Sequence, residues 1–170
     1  MRYSASAVSK SCLLVSFTFL LSGIYSIRYM ENDHHLAHYY TLYLMLSGGV
    51  LGLVLTGDMF NMFVMVEIMT FAAVALTAFR NRAKGSLEAA FKYLITGSIG
   101  SSFTLLGVVL LYAQCHTLNM AQIASIMAEG ITPTTVLALA MIFTGFGVKS
   151  FIVPFHAPAA DAYMTAPSSI

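Results

Sequence analysis

Charge is the scarcest commodity in this sequence. Only eight Lys or Arg and seven Asp or Glu occur in 170 residues, or 9%, against about 25% in ordinary soluble domains. So few charges cannot cover the surface of a soluble domain of this size, while hydrophobic residues make up 58% of the chain. Mean hydropathy is +0.81. Secreted, cytosolic and disordered classes are excluded, which leaves an integral membrane protein. Net charge is only +1, so neither nucleic acid nor a polybasic membrane patch is indicated. Cysteine is also scarce. Cys12 and Cys115 stand alone in apolar surroundings, and no spacing suggests a metal or redox pair.

What is abundant is uninterrupted apolar sequence. Five stretches are long enough to cross a bilayer, which takes about 20 apolar residues: 11–27, 39–57, 60–79, 93–113 and 134–153. The runs are continuous rather than alternating, which favours helices over barrel strands. The expected fold is all-α: one polytopic transmembrane domain spanning 1–170, with five spanning helices. A signal peptide is a poor reading of the first stretch, because Arg28-Tyr-Met-Glu31 follows it with no small-residue cleavage site.

Local signals fill in the connections. Gly57-Asp58 makes a tight turn in which Asp58 can cap the third stretch. Gly48-x-x-x-Gly52 offers a close-approach face, as do Gly97, Gly100, Ser101 and Ser102. Between the fourth and fifth stretches, Asn119 with Gln122 resembles a capping box, and Gly130 a stop. Ile123, Ile126 and Met127 give that segment one apolar face, so a short interfacial helix is expected there. The cluster His34, His35 and His38 reads as solvated loop residues rather than a metal site. No nucleophile triad or nucleotide loop appears, and no cofactor or metal is expected.

Arg80, Arg82 and Lys84 stand against Glu88 in one connection, which places the Arg80–Lys84 loop in the cytoplasm by positive-inside bias. Alternation then puts the N-terminus outside, in conflict with Arg2 and Lys10.

Two charges lie where none is expected. Glu67 sits mid-stretch among Val64, Met65, Val66, Ile68 and Met69, and Lys149 ends an uncharged run from Gly130 to Val148. A charge at mid-membrane costs roughly 3 kcal/mol even on the lenient scale, so such residues face a bundle interior or a hydrated cavity. Either the two form an ion or proton site, or they are a structural pair holding two helices together. Pro154 removes a backbone donor just beyond Lys149. The last stretch should therefore break near it, with Lys149 and His156 sharing a hydrated pocket. A structural histidine is the equal alternative for His156. Lys92 begins the fourth stretch and can simply snorkel to the interface.

These motifs carry a resemblance. The run from Thr56 through Gly57-Asp58-Met59-Phe60-Asn61 to Glu67 resembles the fifth helix of the proton-translocating antiporter-like family. That family includes the large membrane subunits of respiratory complex I, the multisubunit sodium/proton antiporters and the energy-converting hydrogenases. Ala90-Phe-Lys92-Tyr-Leu with Gly97-Ser-Ile-Gly-Ser-Ser resembles its sixth helix. Gly147-Val-Lys149-Ser, Pro154-Phe-His156 and Asp161-Ala resemble its broken seventh. Thr117-Leu-Asn-Met120 is similar to the antiporter and hydrogenase branch more than to complex I.

The resemblance implies proton-translocating roles for Glu67, Lys149, Lys92 and His156, with Asp58, Pro154 and Asp161 in support. It implies a multi-pass protein of a prokaryotic cell membrane, working with other membrane subunits of a multisubunit complex. Protons or Na+ would move through the buried Glu/Lys chain, coupled to redox chemistry or to antiport. Family members look like bundles of about fourteen helices, of which this chain supplies the third to seventh. Two preceding helices would remove the Arg2 and Lys10 conflict. One departure stands out: the family's His-x-Trp-Leu-Pro-Asp-Ala is here His156-Ala-Pro158-Ala-Ala160-Asp161-Ala. The rival readings are a truncated, non-transporting fragment with a structural role, and a small independent channel or membrane enzyme.

The orientation is testable. In a Cys12→Ser, Cys115→Ser background, Ala83→Cys should react with a membrane-impermeant thiol reagent only from the cytoplasmic side. Labelling from outside in intact cells would reverse the assignment.

Overall fold

In the computed structural model, residues 2–31, 33, 35–79 and 85–167 are described, with side chains from residue 6 onward. They form seven helices: α1 (Arg2–Tyr29), α2 (Leu36–Leu55), α3 (Met59–Thr77), α4 (Ser86–Cys115), α5 (Met120–Glu129), α6 (Pro133–Lys149) and α7 (Ala157–Thr165). Four of them, α1 to α4, are long and apolar enough to cross a membrane. The fifth apolar segment, α6, has 17 residues. At 1.5 Å per residue it is about 25 Å long, somewhat less than a bilayer core. The all-α membrane architecture is as the sequence predicts. The loop containing Arg80, Arg82 and Lys84 lies outside the described residues, as does His34 of the histidine cluster.

Caps and turns set the boundaries. The Asp58 carboxylate accepts from the Asn61 N–H at 2.8 Å, and Thr56 Oγ1 accepts from the Asn61 side-chain amide at 2.9 Å. This is the predicted cap on α3. The same turn is tied to the start of α5 by an isolated antiparallel bridge. Met59 N donates to Leu118 O and Met120 N to Gly57 O, both at 2.9 Å. Asn119 caps α5 by accepting from Ala121 N and Gln122 N. Gln122 does not complete a reciprocal box; its Oε1 accepts from the Thr117 hydroxyl instead. Of the expected apolar face of α5, only Ile123 is buried.

Two boundaries differ from the sequence expectation. Helix α4 starts at Ser86, seven residues earlier than the apolar run, because polar residues can be helical once they project beyond the apolar layer. The Ser86 hydroxyl anchors this extension to Thr77 O at 2.8 Å. Lys92 therefore lies inside α4. Helix α6 stops at Lys149 rather than near Val153. Phe151 takes a left-handed backbone with φ 52, a conformation that costs a non-glycine residue about 1–3 kcal/mol. Its ring packs against Tyr93 of α4, centroids 5.2 Å apart. The chain then passes Pro154 and turns into α7, where Pro158 occupies the first turn. Proline is tolerated there because that N–H has no helical partner anyway. The departure from the family motif thus lands at a helix start.

Packing is densest between α4 and α6, and small residues allow it. A Cβ on Gly100 would meet Gly145 O and Val148, and one on Gly107 would meet Ala138 O and Ile142. One on Gly145 would run into Thr104 and the Gly100 carbonyl. Close backbone approach of this kind drives helix association in membranes. Between α2 and α3 the approach is made by Gly49 and Gly52, against Met65 and Met69; nothing lies within 4 Å of Gly48. The close face is therefore shifted from the predicted Gly48 pairing. Tyr39, Tyr43, Met30 and Leu76 form a separate core that attaches α1 to α2 and α3.

Gly145→Ala should destabilise the α4–α6 pair by roughly 1–3 kcal/mol, since backbone and a buried hydroxyl cannot yield. Gly48→Ala should be neutral. Thermal unfolding of the two variants in detergent checks this; equal midpoints would contradict it.

Candidate functional site

The close approach of three helices produces the site. Glu67 is midway along α3. Thr70, one turn later, has its methyl 3.3 Å from where a Gly97 Cβ would stand, so α4 lies directly against this face. Gly100 brings the same stretch of α4 onto α6 beside Val148, which is 1% exposed. The side chains between these contacts are Glu67, Thr70, Ser101 and Lys149.

They form one hydrogen-bonded group. Lys149 Nζ lies 2.6 Å from Glu67 Oε1 and donates to Thr70 Oγ1 at 3.1 Å. The Thr70 hydroxyl itself donates to Val66 O at 2.7 Å. Ser101 Oγ lies 2.5 Å from the same Oε1 of Glu67. The Lys149 side chain is 8% exposed and that of Glu67 22%. The two charges singled out within apolar sequence, one midway along α3 and one at the end of α6, are therefore in direct contact. A buried pair of this kind offsets its desolvation only with good geometry and further hydrogen bonds, and Thr70 and Ser101 supply them. Donor and acceptor of this pair are already in contact.

Lys92 belongs to a second group. Its ammonium lies 2.8 Å from Glu88 Oε1, one turn earlier on α4, and 3.0 Å from Asp161 Oδ2 on α7. This group is half-exposed and lines a cleft of about 280 Å³ with Gly85, Ala89, Met164 and Thr165. Asp161, assigned only a supporting role above, is thus a direct partner of Lys92 and ties α7 to α4. His156 is brought to neither group. It is exposed at the residue preceding α7 and makes no side-chain cap bond there. Asp58 sits at the far turn as a cap, and Pro154 in the connection between α6 and α7.

Sequence reasoning missed Thr70 and Ser101 as members of the site. Thr70 carried a signal: it is one helical turn from Glu67, so both lie on one face. Ser101 carried none beyond its place in a small-residue run, which reads equally as packing.

The chain and its fold have counterparts among known proteins. Residues 56–170 match the family model described as NADH:quinone oxidoreductase/Mrp antiporter, TM. The NADH-quinone oxidoreductase subunit N of Desulforudis audaxviator is 38% identical over 161 residues, which cover 93% of this chain and 32% of that protein. The F(420)H(2) dehydrogenase subunit N of Methanosarcina mazei is 33% identical over 154 residues, 89% of this chain and 31% of that protein. Among solved structures, a chain of the archaeal membrane-bound sulfane sulfur reductase superposes with a TM-score of 0.86 at 36% identity, covering 92% of this chain and 32% of that one. A chain of the Mrp complex from Dietzia sp. DQ12-45-1b gives 0.76 at 28% identity, with coverages of 91% and 29%. The chain spans about a third of the length of the curated relatives it matches. The pattern of apolar helices, the turn capped by Asp58 and the helix break after Lys149 converge on one conclusion: this chain is an integral membrane protein of the NADH:quinone oxidoreductase/Mrp antiporter family.

Proposed function

We propose that this chain supplies the gate of a proton path in a multisubunit membrane complex, with Glu67 and Lys149 as the gating pair. The direct contact between Lys149 and Glu67, buried midway along α3 and at the end of α6, carries the reading. The attraction between the two charges depends steeply on their separation. At an effective dielectric near 20, separating such charges from contact to about 6 Å already leaves only about 3 kcal/mol of attraction. A small movement of α6 against α3 therefore makes or breaks the contact along which a proton would pass. Helix α6 ends at Lys149, and the chain turns at Phe151 immediately beyond it.

Lys92 and His156 take flanking roles in this path. Lys92 lies nine residues before Ser101 on α4, roughly 13 Å along the axis, so transfer between the two groups requires water. Redox chemistry or counter-ion exchange elsewhere in the complex would drive the gate. The redox alternative is favoured by the names of the two curated relatives above, both oxidoreductase or dehydrogenase subunits. Other membrane subunits and the bilayer are the partners this requires.

In the complete complex reconstituted into vesicles, Glu67→Ala and Lys149→Ala should each abolish coupled proton or sodium transport. Each single change strands one buried charge, which costs about 3–5 kcal/mol, so assembly must be verified alongside. Normal transport in either assembled variant overturns the proposal.

A further inference from the structure

Ser101 has two acceptors and one hydrogen to give them. Its Oγ is 2.5 Å from Glu67 Oε1 and 2.9 Å from Gly97 O. A serine hydroxyl donates once and can accept twice. Thr70 shows the ordinary arrangement: it donates to Val66 O and accepts from Lys149. For Ser101, both short contacts can be hydrogen bonds at one moment only if Glu67 itself is the donor in one of them. The serine therefore fits two protonation states of Glu67 without moving a heavy atom. With Glu67 ionised, the Ser101 O–H donates to Oε1, a charge-assisted bond. With Glu67 protonated on Oε1, the carboxyl O–H donates to Ser101 Oγ, and the serine hydrogen turns to Gly97 O. That carbonyl has a second lone pair beyond the one used in the helix.

We infer that Ser101 is the positioning residue of Glu67, a hydroxyl that holds the carboxyl in one place whether or not it carries a proton. This deepens the gating role proposed above and rests on it. The transfer balances simply. A proton leaves Lys149 Nζ and bonds to Glu67 Oε1, the lysine becomes a neutral amine, and Ser101 ends with the same single hydrogen, rotated. Lys149 and Ser101 meet the same oxygen of Glu67, so the proton arrives on the atom that faces the serine. Ser101 is 8% exposed, which keeps water from replacing it. Lys149, from α6, is the titratable group in contact with Glu67. From α4 and α7 the nearest charged set is Lys92, Glu88 and Asp161 at the far cleft, with Tyr93 and Tyr163 lining its neighbour. At this level α2 presents Gly49 and Gly52.

Infrared difference spectroscopy on the purified native complex tests this, alongside vesicle transport. Glu67→Gln identifies the protonated-carboxyl band of Glu67. Ser101→Ala should move that band to higher frequency, because a hydrogen bond is lost, and slow transport about tenfold, the effect of losing one such bond. Ser101→Thr should restore both. If Ser101→Ala fails to assemble, Ser101→Cys, a weaker acceptor of similar size, should shift the band part of the way. An unmoved band in Ala or Cys, equal impairment in Thr and Ala, or no band attributable to Glu67 in any protein overturns the inference. Wild-type transport in Glu67→Gln overturns the gate itself, and the two failures are distinct because the band is read without turnover.

Discussion

The Lys149–Glu67 contact constrains everything around it. A buried ion pair demands partners for its remaining donors and lone pairs, or its desolvation outweighs its attraction. That demand places Thr70 one turn from Glu67 and Ser101 across from it. It also fixes how near α4 must come to both α3 and α6. Gly97, Gly100 and Gly145 provide that approach, and any side chain at Gly145 would push α6 away from α4. The small-residue packing of the bundle and the chemistry of its polar centre are therefore one feature.

The break after Lys149 follows the same logic. A continuous helix would leave Lys149 in mid-span with no freedom at its end. Here the backbone turns at Phe151, held by Tyr93, and returns through α7 to α4, where Asp161 meets Lys92. The two polar groups are thus joined by one backbone connection of seven residues.

Much of this was legible in the sequence, for physical reasons. Charges inside apolar runs are costly enough to be conspicuous, so Glu67 and Lys149 could be singled out without coordinates. The Asp58 cap is a local contact three residues long and was equally readable. Long-range geometry was not. Nothing local tells that Asp161 reaches Lys92, or that Ser101 rather than Ser102 turns inward, since adjacent serines in a glycine-rich run look alike. Ser102 instead bonds back to Ser98 on its own helix. The start of α4 was hidden because hydropathy measures burial, whereas α4 begins in polar sequence. The expected pocket shared by Lys149 and His156 rested on their closeness in sequence, and the turn at Phe151 separates them. The segment Thr117-Leu-Asn-Met120 bridges α5 to the α2–α3 turn.

The central claim is that Glu67 and Lys149 exchange a proton rather than merely fasten α3 to α6. A charge-free replacement separates the two directly, because a buried pair can be replaced by apolar residues of similar volume without loss of stability. The measurement is acidification of vesicles containing the complete complex with Glu67→Leu and Lys149→Met together. The account predicts an assembled, stable complex that moves no protons. Wild-type acidification by that double variant would contradict it.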